Sequence, residues 1–554
     1  MPFVGEIFSQ VKAAADAKVL LEIRDGQVSG VTGGELLELI GKARTFLAAK
    51  RLKKGDRCGL LAANSIRWMA MDLAAMAEGL IVVPLYSRQA PAELVAMMKD
   101  STPALVCCGD DTLRDGIKQN WPRANWSEAP PHFLFDEIFA FAGVDAIAGP
   151  ELADNDPVTI IYTSGTSGEA KGVVLTAGNV GFMLGCTGAR LDLLMGGRSG
   201  QDRIFHYLPF SFCASWIAML TFLLRGSLVT VNTDLTRIPN DMPATAPHYF
   251  LNVPQLLERM RRGVDEQVAQ KGGVAQAIYS RAKVARARQK EKRSRAGDTI
   301  WQWLADAVVF PAIRKKMVGE NLKALICGSA PLTPETQDYF SMLGIPVLQV
   351  YGLTETTGIC TMDDPNDVAA GRVGPAIPGI EMRLSENDEI VVRGPNVFPG
   401  YWNRPQQTAD ALRDGWFHSG DQGEMDASGK WRIVGRIKNL IILGSGHKIP
   451  PETIEEEILR CLPGAQQVVI VGNGRGYLSA IVTGSVSREQ VQAALDAVNP
   501  ELPHYKQVRA FYLRSEPFSI ENGMLTANGK LKRDLISARM RSEIEEMYQV
   551  RQAV

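Results

Sequence analysis

From Gly34 to Gly109 the sequence switches repeatedly between two periodicities, and this alternation restricts the fold more than any other feature. "GELLELIGKARTFLAAK" (Gly34 to Lys50) places apolar residues at helical spacing, and "RCGLLAAN" (Arg57 to Asn64) is an apolar run of strand length. "SIRWMAMDLAAMAEGL" reads as another helix and "IVVPLY" as another strand; a further helix then leads to the strand "ALVCCG". Strands separated by helices pair in parallel, and both faces of such a sheet must be covered. An α/β fold of layered sheets and helices follows.

At 554 residues the chain exceeds the roughly 250–300 residues that one core supports, so at least two domains are expected. A net charge of −1 argues against a general binder of nucleic acid. Eight cysteines are scattered without a CxxC pair, which suits reduced thiols and suggests no zinc site. The first twenty residues lack the basic start and apolar core of a signal peptide. "LPFSFCASWIAMLTFLL" (Leu208 to Leu224) is cut off by Arg225 before the ~20 residues of a spanning helix and reads as a buried helix. A cytoplasmic chain is expected.

One stretch departs from this background. "RAKVARARQKEKRSR" (Arg281 to Arg295) is almost wholly basic and alanine, with Glu291 as its one acid. A solvated helix face is the reading we favour; the alternative is a patch that rests on anionic lipid at the membrane periphery.

The second departure is "YTSGTSGEAKGVVLT" (Tyr162 to Thr176), which follows the strand-like "PVTIIY". Thr163, Ser164, Gly165, Thr166, Ser167 and Gly168 supply hydroxyl donors and a backbone without Cβ atoms in the way, and Lys171 adds a mobile positive charge. This is the chemistry of a phosphate loop. Its spacing differs from the nucleotide loop in which lysine directly follows glycine, because Glu169 and Ala170 intervene. Alone, the stretch fits an ordinary flexible loop equally well.

Distant segments change that balance. "TSGTSGEAKG", "YGLTETTG" (Tyr351 to Gly358), "GWFHSGD" (Gly415 to Asp421), "GRIKNLIILGSGHKIPPETIEEEI" (Gly435 to Ile458) and "NGMLTANGKLKR" (Asn522 to Arg533) occur in this order. Together the chain resembles the AMP-forming adenylating enzymes, the superfamily of acyl-CoA synthetases, luciferases and nonribosomal adenylation domains. Within it, "HYFLNVPQLLERM", the long insertion to about residue 320 and "LGIPVLQVYGLTET" are most similar to long-chain fatty acyl-CoA synthetases. The resemblance implies a large α/β domain over residues 1–435 and a small mobile α+β domain over 436–554. It also implies ATP, Mg2+ and CoA, with a carboxylic acid activated as its adenylate and then passed to a thiol.

Roles are implied residue by residue. Glu355 matches the position that holds Mg2+, aided by Thr166; Thr354 and Tyr351 match neighbours of the phosphates and adenine. Gly328, Ser329 and Ala330 in "GSAPL", with Gly352, line the same nucleotide site. Asp421 matches the acid that accepts the ribose hydroxyls, with Ser419 where threonine is more frequent. Arg436 matches a second ribose and phosphate contact, its alternative being a structural ion pair. Lys530 matches the lysine that enters the site only during adenylation, and Lys438 the hinge about which the small domain turns. Gly444, Ser445, Gly446, His447 and Lys448 would then line the approach of the thiol.

One segment departs from the family pattern. Relatives show "LPLSH" followed by an acid and an arginine; here "LPFSFCASW" puts Phe212 at the histidine position and Ser215 and Trp216 where charge is common. We read this as an acyl pocket reshaped by Phe212, Cys213 and Trp216, with core packing an equal alternative for each. Three functional alternatives stay open: a separate carrier protein as acceptor, an enzyme of one half-reaction, and a binder without catalysis. The acid's chain length and any homodimer are not legible.

Overall fold

In the computed structural model, which describes residues 3–122, 129–143, 149–164, 170–197, 201–290, 292–526 and 529–549, the alternating segments become the helices and strands of a layered α/β architecture. Helix Gly33–Ala49 starts where Thr32 and Glu35 close a capping box. Strand Arg57–Ala62 lies between Ile81–Tyr86 and Leu105–Cys108, parallel to both. Between the first two strands, helix Ile66–Ala77 is capped by Ser65 and buried at every position but Arg67, so its sequence is apolar nearly all round.

Among the described residues the strands form two large sheets, of eight and seven strands, and three smaller ones. Parallel pairing holds at the centres of both large sheets; both edges of the eight-stranded sheet and one edge of the seven-stranded sheet are antiparallel. Strand Pro157–Ser164 turns directly back into Ala170–Thr176, because the five residues between them are too few for a parallel crossover. In the other sheet Lys18–Arg24 folds back on Gln27–Thr32 in the same way. The apolar stretch after Leu208 is helical only over Cys213–Leu224, and nine of its ten residues from Cys213 to Phe222 are buried, as expected of a core helix. Among the described residues no helix is long and apolar enough to cross a membrane.

Beyond residue 436 the composition of layers changes. Strands Ala465–Val471, Leu478–Gly484 and Val508–Arg514 form a three-stranded sheet. Along its first strand, Val468 and Ile470 face helices Pro451–Cys461 and Arg488–Val498, while Val469 and Val471 face the last two helices. This period-2 division buries both faces of a small α+β unit.

Candidate active site

In parallel α/β sheets ligands bind at the carboxyl ends of the strands, where side chains and backbone amides leave the sheet unpaired. Two adjacent parallel strands of the large sheet, Ala324–Cys327 and Val347–Tyr351, end beside each other. The first runs into Gly328, Ser329 and Ala330, with Ser329 held at φ +73°, a left-handed backbone that a non-glycine residue adopts under strain. The second delivers Tyr351 and Gly352. A Cβ on Gly352 would stand 2.4 Å from both the Gly358 carbonyl oxygen and Ile359 Cα, so only glycine fits.

The following turn, Thr354–Thr356, presents Thr354 and Glu355. Leu353 N–H donates to Thr356 Oγ1 at 2.9 Å, Thr357 Oγ1 donates to the Asn396 carbonyl at 2.7 Å, and Phe398 N–H donates to the Glu355 carbonyl at 2.9 Å. Glu355 therefore stands on a turn that is pinned at both ends. Its carboxylate Oε1 accepts a 2.9 Å bond from the Tyr401 hydroxyl.

Tyr401 reaches that position through sheet register. The short strand Gly400–Tyr401 pairs antiparallel with Ala170–Thr176, Tyr401 opposite Val173. Lys171, two residues along the same strand and paired with Thr163, places its ammonium 5.2 Å from the Tyr401 ring centroid. Gly165, Thr166, Ser167 and Gly168 lie outside the described residues, as does the side chain of Ser164.

Asp421 and Arg436 are direct partners across the antiparallel strands Trp416–Met425 and Trp431–Arg436. Arg436 Nε lies 2.8 Å from Asp421 Oδ1, and the Tyr351 hydroxyl donates to Oδ2 at 2.8 Å. The structural ion pair is thus present, at a position that also lines the cleft. Ser419 Oγ donates to the Ile390 carbonyl and accepts from Asp421 N–H, which shapes the turn before the aspartate. Burial pushes the Asp421 carboxyl upward, against the opposing pull of Arg436 and of the Tyr351 bond.

Lys530 enters the same cleft from the C-terminal unit. Thr526 N–H donates to the Lys530 carbonyl at 2.8 Å and Lys530 N–H donates to Thr526 Oγ1 at 3.1 Å. Its side chain remains open to solvent, yet surrounding protein and the charge of Arg436 lower the ammonium's pKa, while Asp421 and Glu355 oppose them. A lysine, two carboxylates and an arginine so sense one another across a single cleft.

The AMP-binding enzyme family matches residues 7–402, and its C-terminal domain matches residues 438–552. The chain belongs to the AMP-binding enzyme family. Long-chain-fatty-acid–CoA ligase FadD15 of Mycobacterium tuberculosis is 27% identical, over 98% of this chain and 96% of its own. Long chain acyl-CoA synthetase 3 of Arabidopsis thaliana is 26% identical over 95% and 88%. Among solved structures, O-succinylbenzoate CoA synthetase from Bacillus subtilis, with ATP and a magnesium ion, superimposes with a TM-score of 0.74 at 20% identity, covering 96% of this chain and 99% of that one. This likeness is one of fold.

Against that family pattern, the remaining residues fall into two groups. Near Glu355, the Phe212 ring packs 5.4 Å from that of Tyr86, and Cys213 opens the helix whose next residue, Ala214, lies against Gly358. Trp216 instead packs in the core, 1% exposed, its indole donating to Asp72 Oδ2 at 2.9 Å. The second group is apart from the cleft. Residues Gly444 to Lys448 cap the ribbon Ile441–Ile442 and Lys448–Ile449; His447 stacks on Tyr505 at 4.2 Å and Lys448 reaches Asn387 at 3.5 Å. Lys438 lies exposed in the turn Ile437–Asn439, between the two units.

Glu355 offers a hard carboxylate oxygen, the donor Mg2+ prefers. Burial pushes the thiols that sense its charge, Cys213 and Cys360, upward, and among the described residues no cluster of three metal-ligating side chains surrounds it. Tyr401 and Asn396 were not among the residues singled out from the sequence. A Gly-Tyr pair after an apolar strand carries no local mark of a partner 46 residues away.

Proposed function

We propose that this chain is an ATP-dependent ligase that joins an apolar carboxylic acid, of fatty-acid type, to CoA. What carries the reading is the convergence of Lys530, Glu355 and the Asp421–Arg436 pair on one cleft at the carboxyl ends of the parallel strands. In the first step an oxygen of the acid attacks the α-phosphorus of ATP, and pyrophosphate leaves with the electrons of the broken P–O bond. In the second, the thiol sulfur attacks the acyl carbon, AMP departs and the thiol proton is released.

Both reactants of the first step are anions, so positioning and charge neutralisation dominate. Lys530 and Lys171 supply positive charge, Asp421 accepts the ribose hydroxyls, and Thr354, Tyr351 and the Gly328–Ala330 loop shape the nucleotide site. Glu355 would hold Mg2+, which neutralises phosphate charge when bound. Phe212 and Cys213 flank the acyl group.

The present arrangement, with Lys530 at the cleft and residues Gly444 to Lys448 on Asn387 and Tyr505, suits adenylation. Rotation of the unit from residue 436 about Lys438 would exchange the two. Pyrophosphate exchange dependent on added carboxylates of graded chain length tests the first step, and offering CoA or a phosphopantetheinyl carrier protein to the adenylate tests the second. Exchange that rises with chain length and CoA as the preferred acceptor are expected; exchange indifferent to added acid overturns the proposal.

A further inference from the structure

A lysine ammonium ends a flexible four-carbon stem, so its reach into a cleft is only as exact as the backbone beneath it. Around Lys530 that backbone is bridged where Leu525 pairs with Leu531, beside the bonds of Thr526. Arg533, three residues beyond the lysine, adds a second anchor. Its guanidinium meets the Glu455 carboxylate with both terminal nitrogens, Nη1 donating to Oε1 at 2.7 Å and Nη2 to Oε2, the two-pronged geometry that makes such pairs strong and directional. Glu455 is itself fixed. Its Oε1 also accepts the Ile470 N–H at 2.7 Å, a donor on the edge strand Ala465–Val471 that has no neighbouring strand on that side.

The helix that carries Glu455, Pro451–Cys461, also reaches the turn proposed as the hinge. Glu452 Oε1 accepts from Asn439 Nδ2 at 2.6 Å and lies 3.9 Å from Arg533 Nη2. Asn439 closes the turn Ile437–Asn439, next to Lys438. A polar chain Asn439, Glu452, Arg533 thus runs from the hinge turn to the lysine segment. A solvated ion pair would hold such a chain weakly, but the Arg533 side chain is 18% exposed and that of Glu455 8%, so loss of either partner leaves the other charge largely buried. The connection is stiff.

We propose that Arg533, clamped on Glu455 and Glu452, is the positioning residue for Lys530: it joins the lysine segment, helix Pro451–Cys461 and the hinge turn into one rigid arm, so that rotation about Lys438 carries the ammonium into the cleft without slack. The inference rests on the adenylation role given to Lys530 above.

Arg533→Gln and Lys530→Ala are made singly and together in the full chain, and two rates are followed: pyrophosphate exchange with an added fatty acid, and acylation of CoA from supplied acyl-adenylate. Arg533→Gln should lower kcat for exchange about 10- to 100-fold, the scale of a misplaced catalytic group, with KM for magnesium-ATP within about twofold of the parent. Acylation of CoA should fall by less than about threefold. In the Lys530→Ala background Arg533→Gln should cost nothing further, because a residue that acts through the lysine has nothing left to act on. Arg533→Lys, which keeps the charge and loses the two-pronged contact, should recover only part of the rate. Should Arg533→Gln fail to fold, Glu455→Gln, which keeps an oxygen for Ile470 N–H, gives the same comparison. Losses that multiply in the double variant, or that strike both rates alike, mark a structural role and overturn the proposal. Exchange lost in Lys530→Ala but kept in Arg533→Gln overturns the positioning alone, whereas exchange untouched by Lys530→Ala overturns the role of the lysine and the inference with it.

Discussion

The Tyr401 hydroxyl donates to Glu355 Oε1 at 2.9 Å, and the same tyrosine's ring lies 5.2 Å from the Lys171 ammonium. One side chain thereby orients the carboxylate assigned to the metal and supports the cation assigned to phosphate. Tyr401→Phe keeps the ring and removes the bond, a loss of ~1 kcal/mol or somewhat more for a charged acceptor. Steady-state pyrophosphate exchange should show KM for magnesium-ATP raised about five- to tenfold, with the fold intact. An unchanged KM would mean the bond is structural only.

Lys530 senses Asp421 and Glu355 across the cleft and is separate from the ribbon Ile441–Ile442 and Lys448–Ile449, to which the proposal assigns the thiol's approach. Lys530→Ala should lower adenylation by a factor of about 100 to 1,000, the scale for losing a transition-state charge. Thiolation of a supplied acyl-adenylate should fall by less than about tenfold. Comparable losses in both half-reactions would contradict the proposed exchange of faces. Because surroundings lower this ammonium's pKa, the parent's adenylation rate should decline as pH rises through the alkaline range, earlier than for an ordinary lysine.

Gly352→Ala tests the turn that presents Glu355. The new Cβ would meet backbone atoms at 2.4 Å on two sides, and backbone cannot yield as a flexible side chain can. Overpacking of this kind costs about 1–3 kcal/mol. A lower thermal midpoint together with a loss of exchange activity larger than that of Tyr401→Phe is expected; a fully active, equally stable variant would show that the turn moves freely.

Asp72 and His206 give a pH signature in the core. Burial pushes the Asp72 carboxyl from its ordinary 3.8 up to about 7, against the bond from Trp216. Between those values the folded chain keeps a proton that the unfolded chain has lost, so this group's contribution falls as pH rises. Burial takes His206 from 6.5 down to about 4, against its bond with the Leu208 carbonyl. There the unfolded chain holds the extra proton, and stability rises with pH over an overlapping window. Asp72→Asn, whose amide oxygen can still accept from Trp216, should remove the falling arm. The variant's thermal midpoint should climb between about pH 4 and 6.5 and exceed the parent's above about pH 7, where the stability difference is on the order of 4 kcal/mol at most. Identical pH profiles for the two proteins would count against it.

Much of the fold is written in local pattern. Helices Gly33–Ala49 and Ile66–Ala77 and strand Ile81–Tyr86 lie within a few residues of where periodicity places them, because cap, turn and period are set by neighbours in the chain. Glu355, Asp421, Arg436 and Lys530 were singled out by the resemblance of the motifs that carry them rather than by periodicity, and the folded chain brings them within electrostatic reach of one another. The basic character of residues 281–295 was also plain.

Tertiary structure decided what lies between those motifs. Strand register, not spacing, sets Arg436 opposite Asp421, and brings Tyr401 beside the strand of Lys171. Packing turned Trp216 from a pocket candidate into the donor for Asp72, 144 residues away, and left Trp303 and Ile300 in solvent, where helical periodicity alone places no constraint. Local sequence acts over a turn or a strand. Which side chains meet across the cleft depends on how sheets align and helices pack, and those are properties of the whole folded chain.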